Sequence, residues 1–173
     1  AQRVPGINLA ATSIQAVQDI IALGREVEIA TLIQNAALYA AGNKVALAGA
    51  SKRSGAASDP AGAIKAGQDA VRRMIGRKPN ILTIGPDVFR ALTKHPKIKD
   101  QFKYTGSDSI TETMLAKYFS LEEVIVGNAV ALPDGADDAT PAVDIWGNNA
   151  ILSYRPRGSN MLVPAFGYTY RLT

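Results

Sequence analysis

The chain of 173 residues contains no cysteine, one histidine and one tryptophan. Without cysteine it forms no disulfide and carries no thiolate nucleophile. With His95 as its sole imidazole it cannot build a His-rich metal site. No run approaches the roughly 18 uncharged apolar residues of a membrane span, and the opening residues, with Arg3 and Pro5, carry no apolar core of a secretory signal. Catalytic signatures are missing as well: there is no Gly-x-Ser-x-Gly elbow, no nucleotide fingerprint and no His-Glu-x-x-His pair. Glu122 and Glu123 are adjacent carboxylates, but neighbours on a strand point to opposite faces and do not converge on one substrate. His95 stands directly before Pro96 and reads as a helix terminator rather than a base. No catalytic, cofactor-binding or metal-binding residue is therefore expected.

What is present is enough for a packed core. The chain is 47% hydrophobic, which excludes wholesale disorder, and its length suits one domain, or two small ones sharing a core. A formal charge of +4 tolerates an anionic neighbour but is modest for a dedicated nucleic-acid binder.

The organising stretch is residues 79–96. Ile81 to Ile84 is a short, mostly β-branched run with Pro79-Asn80 before it and Gly85-Pro86 after it, the signal of a buried strand. Gly85-Pro86 or Asp87 starts a helix with Val88 and Leu92 on its apolar face, and His95-Pro96 ends it. A helix over 60–75, capped by Asp59 and buried through Ile64, Val71, Met74 and Ile75, precedes the strand. Helix, strand and helix together predict the centre of an α/β layer.

Before this unit, Ile14, Val17, Ile21 and Val27 fall at helical spacing, and Ile20, Leu23, Leu32 and Ile33 widen the stripe. They predict a long helix over 12–35 capped by Thr12 or Ser13, with Gly24 at its middle costing roughly 1 kcal/mol against alanine. Two readings stand for it: a plain core helix, or a helix that also packs on a neighbouring subunit. Residues 44–47 suggest a short strand. Residues 49–58, rich in Gly, Ala and Ser around Lys52-Arg53, read as a flexible linker, since the Gly-Lys-Ser/Thr ending of a phosphate loop is missing.

Beyond Pro96, residues 97–104 read as a short basic helix or turn whose Ile98 and Phe102 face the core. The interleaved basic and aromatic residues also permit nucleic-acid stacking, the lesser reading. A helix over 110–119 follows, capped by Ser109 or Thr111, with Met114, Leu115 and Tyr118 inward. Val124 to Val126 and Ala129-Val130 form a strand broken at Gly127-Asn128. The acidic loop 133–141, with Asp134, Asp137 and Asp138, lacks the spacing and closing glutamate of a calcium loop and reads as exposed. Residues 143–146 and 150–154, joined by Gly147-Asn148-Asn149, suggest a β-hairpin. Phe166, Tyr168 and Tyr170 alternate as in a final strand.

Taken in order, Arg25-Glu-Val-Glu-Ile-Ala-Thr-Leu-Ile, Tyr39-Ala-Ala-Gly-Asn-Lys-Val, Ser58-Asp-Pro, Gly76-Arg-Lys-Pro-Asn-Ile-Leu-Thr-Ile-Gly-Pro-Asp-Val-Phe, His95-Pro-Lys-Ile, Lys103-Tyr-Thr and Asp144-Ile-Trp-Gly resemble the major capsid proteins of tailed phages and prophages. The resemblance runs from about residue 20 to the end. It implies an α+β chain of the Hong Kong 97-type capsid fold, with a long spine helix, a peripheral sheet and an axial α/β domain. The implied division is 1–58 for the peripheral domain with its spine helix, 59–155 for the axial domain and 156–173 for the return to the periphery. The short segment ahead of the spine helix, and the missing last peripheral strand, lead us to expect a fragment or a partly ordered chain.

The implied function is structural rather than enzymatic. Copies of the chain would self-assemble as pentamers and hexamers of an icosahedral head, touch packaged double-stranded DNA non-specifically, and meet scaffold or portal proteins but no membrane. The protein would belong to the virion and assemble in the host bacterial cytoplasm. Two alternatives are weighed against this: an encapsulin-like nanocompartment shell, and a small α/β nucleotide-binding module using residues 49–58. Around a symmetry axis the three aspartates would either repel one another or pair with Lys94, Lys97, Lys99 and Lys103 of the next subunit, and pairing is the favoured expectation.

Overall fold

The computed structural model describes residues 9–104, 109–133, 135–137, 139–158 and 162–169. Within them the chain is α+β, with five α-helices and five short strands. Its core is the unit foreseen at residues 79–96. Strand β1 (Ile81–Ile84) is the central strand, between β2 (Glu123–Val126) and β5 (Ala150–Ser153). β1 runs parallel to β2 and antiparallel to β5. Its burial is near-continuous rather than alternating, as expected of a strand covered on both faces.

The helices supply that cover. α2 (Pro60–Ile75) packs on β5, and α5 (Glu112–Tyr118) packs on β2. α3 (Pro86–Lys94) and α4 (Pro96–Phe102) form a corner at His95. Leu82, Ile84, Leu92, Ile98 and Leu115 are fully buried where these elements meet. Each such side chain contributes roughly 1.5–3 kcal/mol relative to exposure, and together they make the unit cohesive. Phe102 and Tyr118 meet edge to face with ring centroids 5.7 Å apart, so Phe102 sits against the core as its spacing from Ile98 foretold.

The caps follow the residue chemistry. The Asp59 carboxylate accepts from the Gly62 amide at 3.1 Å, and the Thr111 hydroxyl accepts from Met114. At the end of α5, Ser120 takes a left-handed backbone, φ 57°. The Leu121 amide then reaches back to the Ala116 carbonyl at 2.8 Å, closing the helix as a glycine usually would.

Several expectations are corrected. Residues 143–146 and 150–154 do not form a hairpin. β4 (Val143–Asp144) pairs with β3 (Val130–Ala131), while β5 crosses to the main sheet. The reason is that Gly147 turns the chain back beside Gly85: a side chain at Gly85 would meet the Gly147 carbonyl oxygen at 2.0 Å. Residues 44–47 are not a strand and belong to no ladder. No strand occurs over 162–169, where Phe166 instead donates its amide to the Tyr154 carbonyl at 3.1 Å; Tyr170 lies outside the described residues. Met74 is exposed rather than buried, whereas Ile64 is buried as expected.

The first helix, α1 (Leu9–Gln34), starts earlier than Thr12 or Ser13. Ser13 lies inside it and donates its hydroxyl back to the Leu9 carbonyl at 2.8 Å. Nor is it a core helix within this chain, since Ala30 is its only buried residue. The loop 49–58 is no free linker: it opens with a 3-10 turn at Gly49–Ser51 and is tied to His95.

Candidate assembly surfaces

Three surfaces stand out once the fold is in place. The first is the apolar stripe of α1. Ile14, Val17, Ile20, Ile21, Leu23, Ile29 and Leu32 are all exposed, Ile20 at 70% and Leu32 at 62%. Helical spacing gathers most of them along one side, and nothing in the described residues covers them.

The second is the junction that holds α1 to the α/β unit, made by its C-terminal third. The Trp146 indole donates to Glu26 Oε1 at 2.7 Å. Gln34 Nε2 donates to the Ile145 carbonyl at 2.9 Å, and Gln34 Oε1 accepts from Asn149 at 2.9 Å. Trp146 lies flat against Gly127, where an added side-chain carbon would fall 2.0 Å from its Cδ1. The helix then stops, and Tyr39 folds back to donate its hydroxyl to the Ile33 carbonyl at 2.6 Å. Burial pushes the Tyr39 phenol up from its ordinary pKa. Sequence reading placed Asp144-Ile-Trp-Gly in the family pattern but gave Trp146 no partner. A lone tryptophan followed by a glycine was the available signal.

The third lies at the other end of the main sheet, where β1 and β2 begin and β5 ends. It is a cleft of about 700 Å3. Arg77 and Lys78 enter from the turn after α2, Glu122 from the head of β2, and Arg155 and Arg157 from the segment after β5. Asn80 staples its floor. Its side-chain amide donates to Glu122 at 3.1 Å and to the Arg155 carbonyl at 2.8 Å, and its carbonyl oxygen accepts the Arg155 amide at 2.8 Å. Arg155 pairs with Glu123 at 2.9 Å, and Arg157 with Glu122 at 3.0 Å. Arg77 lies 5.7 Å from the Tyr154 ring centroid and donates to its hydroxyl at 3.2 Å. The two adjacent glutamates therefore hold arginines.

The remaining singled-out residues fall elsewhere. His95 is 2% exposed. Its Nε2 lies 3.1 Å from both the Ser58 hydroxyl and the Gly55 carbonyl, while Nδ1 is buried without a hydrogen-bond partner. It terminates α3 as expected, and it also pins the loop 49–58, a role its position before proline did not reveal. Arg53 turns partly inward, and burial lowers its guanidinium pKa, the opposite of a side chain offered to a phosphate. Lys103 lies 6.0 Å from the Tyr104 ring, which is itself exposed. In the acidic loop Asp137 is exposed and accepts from the Thr140 hydroxyl. That bond is the main reason its carboxyl lies below the ordinary aspartate range. Asp134 and Asp138 lie outside the described residues. Among the described residues no group of acidic, histidine or cysteine side chains is arranged to hold a metal, and no helix is long and apolar enough to cross a membrane.

An α/β unit carrying a long helix with an uncovered apolar stripe offers a surface suited to assembly. Residues 8–160 match the family described as phage major capsid protein E, and the chain belongs to that family. It is 38% identical over 164 residues to the major capsid protein of Burkholderia phage BcepMu, covering 92% of this chain and 52% of that protein. It is 33% identical over 141 residues to the major capsid protein of Pseudomonas phage JBD67, covering 80% and 44% respectively. Among solved structures it resembles a phage-related protein of Bordetella bronchiseptica RB50, with a TM-score of 0.87 and 36% identity over 97% of this chain and 55% of the other. The chain thus spans about half the length of the curated relatives it matches.

Proposed function

We propose that the chain is the assembling part of a phage or prophage head subunit of the Hong Kong 97 type. In this reading α1 is the spine helix of a peripheral domain over 1–58. Residues 59–155 are the axial domain, and 156–173 turn back toward the periphery. The observation that carries it is the uncovered apolar stripe of α1. Monomeric proteins seldom leave such a continuous patch to water, whereas closed symmetry multiplies many modest contacts into a stable shell. Family membership supports the same conclusion. It also disfavours the nucleotide-binding module, as does the inward turn of Arg53.

The subunit's partners are then other copies of itself in pentamers and hexamers. Packaged DNA would be touched through sequence-independent phosphate contacts, and scaffold or portal proteins would be met during assembly in the host cytoplasm. Negative-stain electron microscopy of the complete gene product is the test, with rings or hollow shells expected. Ile20→Asp with Leu32→Asp should abolish them while circular dichroism of the α/β unit is unchanged. Monodisperse monomer at high concentration from the wild type would refute the reading. Purified shells that contain enzyme cargo instead of DNA would favour the encapsulin-like alternative.

A further inference from the structure

The cleft at the head of β1 and the acidic loop between β3 and β4 carry opposite charge and lie toward opposite ends of one small unit. The cleft is lined by Asn80 and Glu122, just before β1 and β2, and by Tyr154, just after β5. The β3–β4 ribbon leaves the other end. There the Gly127 amide closes on the Ile84 carbonyl at 2.9 Å, and the Ile145 amide closes on Ala129 at 3.0 Å. Asp137 is exposed and takes no part in lining the cleft.

We infer that the Asp137 loop of one copy docks into the Arg77–Lys78 cleft of the next, making a head-to-tail contact between adjacent subunits. This inference rests on the shell-subunit reading and names a contact within it. A surface with its two complementary halves on different ends of the chain is heterologous, and repetition of such a contact closes a ring when the rotation allows. The charges suit a carboxylate occupant. With Glu122 and Glu123 already paired to Arg157 and Arg155, Arg77 and Lys78 are the cleft cations that pair with no carboxylate among the described residues, and the concave site suits the compact Asp137 carboxylate. The Thr140 hydroxyl donates to the Asp137 carboxylate and orients it before docking. Lys94, Lys97, Lys99 and Lys103, the partners expected from sequence, are exposed like Arg77 and Lys78, but none of the four lines the cleft, so a carboxylate held by them would lack its concave walls.

Charge reversal in the complete gene product tests this. Asp137→Lys alone, and Arg77→Glu with Lys78→Glu alone, should each raise the protein concentration needed for half-maximal ring formation roughly tenfold at low salt. The triple variant should return it to near the wild-type value. Zero-length carbodiimide coupling of assembled wild type should yield a Lys78–Asp137 linked peptide by mass spectrometry, found in covalent multimers and not in the monomer band. If the triple variant is no better than its parents and no such peptide forms while the wild type still makes rings, the inference is overturned and the shell reading stands. If the cleft variants assemble normally but lose bound DNA, the occupant is phosphate and the inference is again overturned. A wild type that makes no rings overturns both.

Discussion

The contact between Trp146 and Gly127 can be broken by a single carbon. Gly127→Ala would place Cβ 2.0 Å from Trp146 Cδ1, 2.3 Å from Cγ and 2.4 Å from Nε1. The obstacle is a rigid ring rather than a flexible chain end, so the indole must move by more than 1 Å to reach ordinary contact, an order-of-magnitude geometric estimate. It cannot do so and keep its 2.7 Å bond to Glu26. Forcing a methyl into a packed site costs about 1–3 kcal/mol, and losing a half-exposed hydrogen bond adds about 1 kcal/mol. Alanine's lower freedom in the unfolded chain returns about 0.5–1 kcal/mol. The net loss is about 2 kcal/mol, which for a chain of this length is a fall in Tm of about 4–8 °C. Trp146 is the sole tryptophan, so its fluorescence reports on this junction alone, and its emission should shift to the red in the folded variant. Glu26→Ala supplies the internal control. It should lower the Tm of the wild type by a few degrees, about 1 kcal/mol, yet have almost no effect in the Gly127→Ala background, because coupled residues are not additive. Unchanged Tm and emission, or equal effects of Glu26→Ala in both backgrounds, would refute this account of how α1 is held.

Three further outcomes follow from the same geometry. Ser120→Gly should raise stability by about 1 kcal/mol, because the left-handed backbone at φ 57° is strained for any residue with a Cβ; calorimetry showing no gain would mean the Ser120 side chain contributes something that offsets the strain. Asp59→Ala removes the cap of α2 and should cost about 1 kcal/mol in chemical denaturation, with Asp59→Asn retaining most of it. Asp137 should titrate below the ordinary aspartate range in carboxyl-detected NMR, chiefly because of Thr140, and Thr140→Val should move it upward. With its folded pKa depressed, whatever stability it contributes is complete above the ordinary aspartate value and is lost as pH falls through the lowered one.

Much of this architecture could be read from residues alone, wherever local chemistry and burial agree. Ile81 to Ile84, bracketed by proline and glycine, is the central strand because both of its faces are covered. Asp59 and Thr111 cap the helices they precede. Tertiary choices escaped the reading. Residues 143–146 and 150–154 looked like a hairpin because both runs are strand-like and a Gly-Asn-Asn turn joins them. Only the close approach of Gly85 to Gly147 sends the second run to β1 instead. The apolar face of α1 was visible, but periodicity cannot tell a face buried in its own chain from one left for another. The cleft was invisible for a related reason: Arg77, Glu122 and Arg155 are distant in sequence, and Asn80, which ties Glu122 to Arg155, looked like turn punctuation.

The pairing of β1 with β5 also sets an order of events at the ribosome. The sheet joins residues from both ends of the stretch 81–153, so it cannot be completed until the last of these has been made. α1 precedes this unit in the chain, and its anchor at Trp146 comes more than a hundred residues later. At about 5–20 residues per second, an apolar helix waits on the order of ten seconds before the unit that positions it exists. For that interval the nascent chain is a substrate for chaperones. Once many ribosomes translate one message, the helices of neighbouring nascent chains can meet before either chain has folded.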